Sequence, residues 1–284
     1  MNVLSLFDGL SGCRIALDRI GITPNKYYAS EIDKYAIQVA QANYPNTIQL
    51  GSVTEWRDWD IDWASIDLVT GGFPCQAWSV AGKQMGDKDE RGMLFWTMLD
   101  VMKHVRYYNP KAHFLIENVK MKKDFEQYIT HHTEQALGVV HKTLINSALV
   151  SAQNRQRYYW TDFEVTQPED KGIVLADIIE DGFTDRNKVQ KDNVVIIQKA
   201  RGHNKGGLKA LDGKTPTLSS CSWQDNNHLT NGLTYRKLTP LECERLQTLP
   251  DNYTNHVSNT QRYRMIGNGW TIDVISHILR HIYQ

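Results

Sequence analysis

Long apolar runs are missing from this chain: nothing in its 284 residues approaches the roughly 20 consecutive apolar positions of a membrane-spanning helix. Cysteine is scarce. The four present, Cys13, Cys75, Cys221 and Cys243, are widely spaced and form no Cys-x-x-Cys pair, which fits a reducing compartment better than a disulfide framework. Ten histidines include one adjacent pair, His131-His132, with no cysteine or acid at metal-ligand spacing, so it reads as a solvated helix end and no metal is expected. The first residues, Met1-Asn2-Val3-Leu4-Ser5, have no basic region and run straight into a strand pattern; a signal peptide is not expected, and a cytoplasmic setting is. Repeats and low-complexity tracts are absent. So is net charge, with 32 Lys+Arg against 32 Asp+Glu.

The composition that remains, 41% hydrophobic and 23% charged, excludes a disordered chain. Its length suffices for one large domain and a smaller one. The charge is unevenly spread. Residues 1–182 carry 18 Lys+Arg against 24 Asp+Glu, residues 183–237 carry 10 against 4, and residues 238–284 carry 4 against 4. A basic excess confined to one segment is the footprint of a phosphate-contacting region, although a basic solvated loop has the same charge.

The first 163 residues alternate between strand-like and helix-like runs. Strands are predicted at Val3–Phe7, Tyr27–Ser30, Thr47–Leu50, Leu68–Thr70, Phe114–Ile116, Lys142–Val150 and Tyr158–Phe163. Helices are predicted up to Ile20, over Lys34–Asn43 and Met93–Tyr107, and near Asp124–Leu137. This rhythm implies an α/β fold built on a mainly parallel sheet. Around 167–235 it breaks into short strand-like pieces rich in Gly, Asn, Asp and Thr. Thr239-Pro240 then opens a helix as N-cap and first helical residue, and the chain ends in a helix over Thr271–Ile282. The expected organisation is a catalytic and cofactor-binding domain over 1–166, a recognition domain over 167–237, and C-terminal helices over 238–284 that return to the first domain.

Two strand-like runs end in reactive side chains. Pro74-Cys75-Gln76 follows the run through Val69, and Glu117-Asn118-Val119 follows His113–Ile116. Carboxyl ends of parallel strands are where open α/β sheets handle ligands. A thiol and an acid there suit covalent attack on a ring that needs protonation elsewhere. A buried structural thiol and a strand-end ion pair are the plainer readings of each residue alone. The polar, Gly-containing stretch Gln76–Gly92 has the character of a functional loop. Arg155 and Arg157, two apart, would share a face if extended, and fixed cations could hold a substrate oxygen and keep a thiolate ionised; a solvated pair on an edge strand has the same spacing. Phe7-Asp8-Gly9-Leu10-Ser11-Gly12 joins a strand to a helix, and Glu31 ends the next strand about 20 residues on, where Rossmann-type sheets keep an acid for ribose hydroxyls. Both features in register favour an adenosine-bearing cofactor over a tight turn with a surface glutamate. The glycine spacing is not the dinucleotide fingerprint and argues against NAD.

Taken in order, Phe7–Gly12, Gly72-Phe73-Pro74-Cys75-Gln76, Glu117-Asn118-Val119, Gln153–Arg157, Arg236–Gln247 and Gly267-Asn268-Gly269 resemble the motifs of the DNA cytosine-C5 methyltransferases. The resemblance covers all but 183–235, and the length is similar to compact bacterial or phage members. It implies a Rossmann-like S-adenosylmethionine-dependent methyltransferase sheet with a smaller target-recognition domain. By the resemblance, Cys75 attacks C6 of a flipped cytosine, Glu117 holds or protonates N3, Arg157 contacts the O2 side and Arg155 supports the active-site loop. S-adenosylmethionine is the implied cofactor and S-adenosylhomocysteine its product, with no metal. Phe7, Asp8, Gly9, Leu10, Ser11, Gly12, Glu31, Ile32, Ser52, Val53, Pro74, Leu94, Asn268, Gly269 and Trp270 are the implied cofactor residues. Two departures stand out. Gly51-Ser52-Val53 has serine where the family often has aspartate, so weaker recognition of the adenine amino group is expected. Trp270 replaces a small aliphatic of many bacterial members, resembles the eukaryotic de novo branch, and is able to reshape the cofactor pocket.

The same resemblance makes double-stranded DNA the partner. Gln76, Ser79, Lys83, Lys199, Arg201, Lys205, Thr217 and Gln224 are the implied DNA contacts, together with His203, Asn204 and the stretch 224–228. A monomer with no membrane association is expected, and the resemblance admits a cognate restriction endonuclease as partner. Three alternatives compete: the tRNA-methylating branch of the family, whose Cys-Phe-Thr tripeptide is absent here; a DNA-binding relative without turnover; and a cysteine hydrolase, for which no histidine adjoins the loop as base.

Overall fold

The computed structural model describes residues 1–74, 90–180, 195–200, 204–209, 213–220, 226–230 and 235–283, with the side chains of 90 and 91 left aside. Its main sheet has seven strands: β1 (Asn2–Leu6), β2 (Lys26–Ser30), β3 (Ile48–Gln49), β4 (Ile66–Gly71), β5 (His113–Val119), β6 (His141–Asn146) and, after the short β7 (Gln153–Asn154), β8 (Gln156–Thr161). Their order is β3-β2-β1-β4-β5-β8-β6. Parallel pairing runs from β3 to β5, and β8 joins β5 antiparallel. The connecting helices are α1 (Gly12–Arg19), α2 (Lys34–Asn43), α3 (Glu90–Tyr108) and α4 (Lys123–Leu137). The α/β fold expected from the alternating pattern is therefore present. Strands buried on both faces need continuous apolar runs, and Leu68-Val69 and Phe114-Leu115-Ile116 supply them at no more than 1% exposure.

The chain builds outward from β1 to β3, then returns to place β4 on the other flank of β1. That reversal makes the carboxyl ends of β1 and β4 a topological switch point, the usual ligand crevice of open sheets. The loop after β1 and the segment leading to Cys75 start there.

Contacts divide the chain into two units. One holds Met1–Ile145, Gln156–Gln167 and Ser276–Gln284; the other holds Asn146–Arg155 and Pro168–Ile275. In the second, after the four-residue helix α5 (Leu175–Ile178), β9 (Val195–Gln198), β10 (Gly207–Lys209), β12 (His228–Thr230) and β13 (Tyr235–Lys237) form an antiparallel sheet in the order β10-β9-β12-β13. Strand β11 (Thr215–Pro216) pairs with β7. Helices α6 (Pro240–Leu246), α7 (Asn259–Asn268) and α8 (Ile272–Arg280) follow. Thr239 caps α6 in a full capping box with Glu242, as the Thr-Pro-x-Glu spacing predicts.

Local chemistry explains where the structure departs from the predicted elements. Strand β6 stops at Asn146 rather than Val150, because the Asn146 side chain accepts the Ala148 and Arg155 N–H groups and turns the chain into a 3-10 helix. No sequence pattern predicts helix α7. Its buried face contains Arg262 and Gly267 beside Met265 and Ile266, so no apolar stripe marks it. Arg262 is buried because Glu244 and Thr254 receive it, at 3.1 and 2.9 Å.

Candidate active site

Strand β1 delivers the chain into a tightly folded loop. Gly9 sits at φ 59° and accepts this left-handed conformation without penalty, whereas Phe7 (54°) and Ser11 (62°) bear side chains there. The Asp8 carboxyl points inward: Oδ2 accepts the Ser11 hydroxyl at 2.6 Å and Oδ1 the Tyr27 hydroxyl at 2.7 Å. Burial pushes its pKa up to about 6, against the lowering effect of the Ser11, Ser5 and Tyr27 hydroxyls, with the Glu31 charge adding to the rise. Leu10, Ser11 and Gly12 are buried, and Phe7 is half-buried against the core.

Glu31 follows β2 directly, with both carboxylate oxygens anchored by backbone. Oε2 accepts the Gly9 N–H at 2.8 Å, and Oε1 accepts the N–H groups of Ile32 and Asp33, each at 2.8 Å. A fixed anion therefore stands beside the β1 loop. The neighbouring Ile32 side chain is 76% exposed, an apolar surface suited to a flat aromatic ligand. Ser52 accepts the Thr54 N–H at 3.3 Å and shares a 2.7 Å hydrogen bond with the Thr54 hydroxyl, so it caps a 3-10 helix. Val53 is buried, and Leu94 and Pro74 are half-buried. A positioned carboxylate, an exposed aliphatic face and a loop with close backbone access fit an adenosine-bearing group.

Glu117 lies in β5, 9% exposed, with Oε1 3.0 Å from Arg157 Nε. Antiparallel pairing sets this contact, because Val119 stands opposite Arg157 and Glu117 opposite Tyr159. Asn118, to which the sequence motif assigns no role, donates from Nδ2 to the Phe73 carbonyl at 3.1 Å and accepts the Val119 N–H at 2.8 Å. It thereby ties β5 to the backbone two residues ahead of Cys75. Cys75 itself, with Gln76, Ser79, Lys83, Arg201, His203 and Gln224, lies outside the described residues.

Arg155 and Arg157 are not on one continuous strand; the ladder breaks at Arg155, between β7 and β8. Arg155 is 3% exposed and sits in the second unit, donating to the carbonyls of Leu218 (2.9 Å), Gly267 (3.3 Å) and Gly269 (2.9 Å). Asn268 is exposed in the same unit, and Gly269 and Trp270 are half-buried. Of the basic segment, Lys199, Lys205 and Thr217 are exposed, with the Thr217 hydroxyl donating to the Asn154 carbonyl at 2.5 Å. Asn227 and His228, expected among the base readers, are 2% and 4% exposed. Asn227 accepts from Gln198 at 2.6 Å, and the His228 ring packs edge-on against Tyr235, so both hold the small sheet together. Asn204 likewise donates to Gln198 at 2.9 Å.

The model of the C-5 cytosine-specific DNA methylase family matches residues 1–209 and 142–284. The Type II methyltransferase M.NlaX of Neisseria lactamica is 31% identical, over 98% of this chain and 94% of its own length. M.HhaI of Haemophilus parahaemolyticus, also a Type II methyltransferase, is 30% identical over 99% and 94%. Among solved structures, a DNA modification methyltransferase encoded within an E. coli prophage superposes with TM-score 0.69 at 19% identity, covering 100% of this chain and 98% of that one. A Spodoptera frugiperda DNMT2 mutant gives 0.66 at 19%, covering 100% and 99%. At such identities these structures speak for the fold alone. The two family-model matches together span the chain, and the relatives match it nearly end to end, so the protein belongs to the C-5 cytosine-specific DNA methylase family.

Proposed function

We propose that the protein methylates C5 of cytosine in a short specific sequence of double-stranded DNA, using S-adenosylmethionine and no metal. The observation that carries this reading is the presence of a backbone-anchored Glu31 beside the β1 loop together with Glu117 in the last residues of β5, toward the carboxyl end of the sheet from which the chain leaves β4. In this reading Cys75 forms a bond from Sγ to C6 of the base. Glu117 supplies a proton or hydrogen bond at N3, so that negative charge does not accumulate on the ring. Arg157 keeps the Glu117 carboxylate oriented and faces the O2 side of the base. Bound S-adenosylmethionine supplies the electrophilic methyl group that C5 takes up. Loss of the C5 proton to a base or water then lets the ring expel Cys75 and regain its double bond. A cytosine stacked in a duplex presents neither face to a thiolate, so it must leave the helix first.

Glu31, Ile32 and the Phe7–Gly12 loop are the proposed cofactor contacts, Glu31 through the one Oε2 lone pair that its three backbone partners leave free. In the second unit, exposed Lys199, Lys205 and Thr217 are the proposed phosphate contacts. Arg155 orders the backbone at Leu218, Gly267 and Gly269. A monomer acting on DNA in the cytoplasm, with or without a cognate restriction endonuclease, completes the proposal.

Duplex DNA containing 5-fluorocytosine tests it, because fluorine cannot leave C5 as a cation and the Cys75–C6 bond then persists. Incubation with S-adenosylmethionine should give a denaturant-stable protein–DNA adduct with wild type and none with Cys75→Ser. Methyl transfer to tRNA and not to DNA would move the activity to the RNA-modifying branch. Adduct formation by Cys75→Ser would end the covalent mechanism.

A further inference from the structure

Three of the five residues from Phe7 to Ser11 hold left-handed backbone, and only Gly9 does so without strain. Strain of this kind persists only when the surroundings over-determine it. The surroundings here are specific. Asp8 N–H donates to the Ser30 carbonyl and Ser11 N–H to the Asp8 carbonyl, both at 3.1 Å, while Glu31 takes the Gly9 N–H. Beneath them the Asp8 carboxyl receives two hydroxyls, and one comes from Tyr27 in β2, a residue that no sequence motif includes. Tyr27 is 1% exposed and Asp8 8%. An apolar pair would fill that volume without burying a carboxylate, so the carboxylate is a cost that fold stability does not require.

We propose that Tyr27 is a positioning residue of the cofactor site: its hydroxyl holds the Asp8 carboxylate beneath the Phe7–Ser11 loop and so fixes the backbone that meets S-adenosylmethionine. The proposal rests on the reading of that loop as the cofactor loop. The groups around Asp8 are Ser5 from β1, Ser11 from the loop, Tyr27 from β2, Glu31 just after β2, and Cys13 from α1, with Arg14 beside Cys13 and Tyr27. Burial drives the Cys13 thiol up to about 12, leaving it neutral, and Arg14 lies over the Tyr27 ring at 5.6 Å. Asp8 thus titrates at about 6, held from rising further by three hydroxyls. Without the Tyr27 hydroxyl its protonation moves toward neutral pH. A protonated Asp8 binds Ser11 less strongly and releases the loop.

The test is calorimetric titration of S-adenosylmethionine into the full chain, wild type and Tyr27→Phe, over a pH series bracketing the Asp8 value of about 6. Tyr27→Phe should raise Kd about tenfold near neutral pH, the usual scale for one hydrogen bond to a charged group. The pH at which binding weakens should rise by about one unit. In the ligand-free protein, the amides of the Gly9–Ser11 loop should exchange faster while those of β5 do not change. Asp8→Asn should remove the pH step altogether, and it decides the matter if Tyr27→Phe does not fold. A folded Tyr27→Phe with wild-type Kd and pH profile overturns the proposal, as does Asp8→Asn that keeps the wild-type profile. Failure of the wild type itself to bind, visible before any variant is made, would instead overturn the cofactor reading on which the proposal stands.

Discussion

Arg155 gives the sharpest forecast, because its guanidinium is buried and donates to three backbone carbonyls. It is 3% exposed and spans the carbonyls of Leu218, Gly267 and Gly269 at 2.9, 3.3 and 2.9 Å. Each charge-assisted hydrogen bond contributes about 1.5–3 kcal/mol, and each carbonyl stranded without a partner costs about 1–3. These terms overlap and the 3.3 Å contact is weak, so Arg155→Ala should destabilise the second unit by about 3–5 kcal/mol, the range for breaking a buried charged network. Arg155→Lys keeps the charge but loses the planar fork, and should cost about 2 kcal/mol. Urea unfolding of the full chain, with hydrogen exchange read at 218–220 and 267–269, measures the loss and locates it. Arg155→Ala losing less than about 1 kcal/mol would refute the backbone-ordering role, since that is less than one such bond. Full recovery of stability and turnover by Arg155→Lys would show that charge alone matters.

The next two follow from steric fit and from linkage. A Cβ built on Gly267 would stand 2.3–2.5 Å from the backbone of Ser219 and Ser220, so Gly267→Ala should lower stability by about 3 kcal/mol and show as a fall in Tm. Wild-type Tm after the substitution would mean that α7 and the 218–220 segment can separate at no cost. Asp8 has a folded pKa of about 6 against 3.8 for an ordinary aspartate, so the folded state binds the proton more tightly. Its contribution to stability is complete below the unfolded value and is lost as pH rises through that window, amounting to about 3 kcal/mol at most. Urea midpoints measured across the window should fall with rising pH in wild type and flatten in Asp8→Asn. Cofactor binding should follow the opposite trend, because the ionised form that costs stability is the one that orders the loop.

Hydrophobic patterning was enough to specify the sheet. Apolar runs of strand length alternating with amphipathic helices leave little choice but βαβ units, and Leu68-Val69 and Phe114–Ile116 entered the core as their pattern implied. The sequence also marked Thr239-Pro240 as a helix start, since capping is a local matter of side-chain reach. The ordered motifs pointed to the family, because chemistry at strand ends demands particular residue types. What those side chains face depends on long-range packing. Asp8 sits within a motif, yet its carboxyl turns inward to Tyr27, 19 residues away. Ser52 is committed to a helix cap, Asn118 to the Phe73 carbonyl, and Arg155 to three carbonyls 63–114 residues distant. Helix α7 stayed hidden for the same reason: Arg262 is a core residue only because Glu244 is buried beside it. Periodicity records how much of a side chain leaves water, whereas a buried polar group is fixed by its partner, and that partner lies elsewhere in the chain.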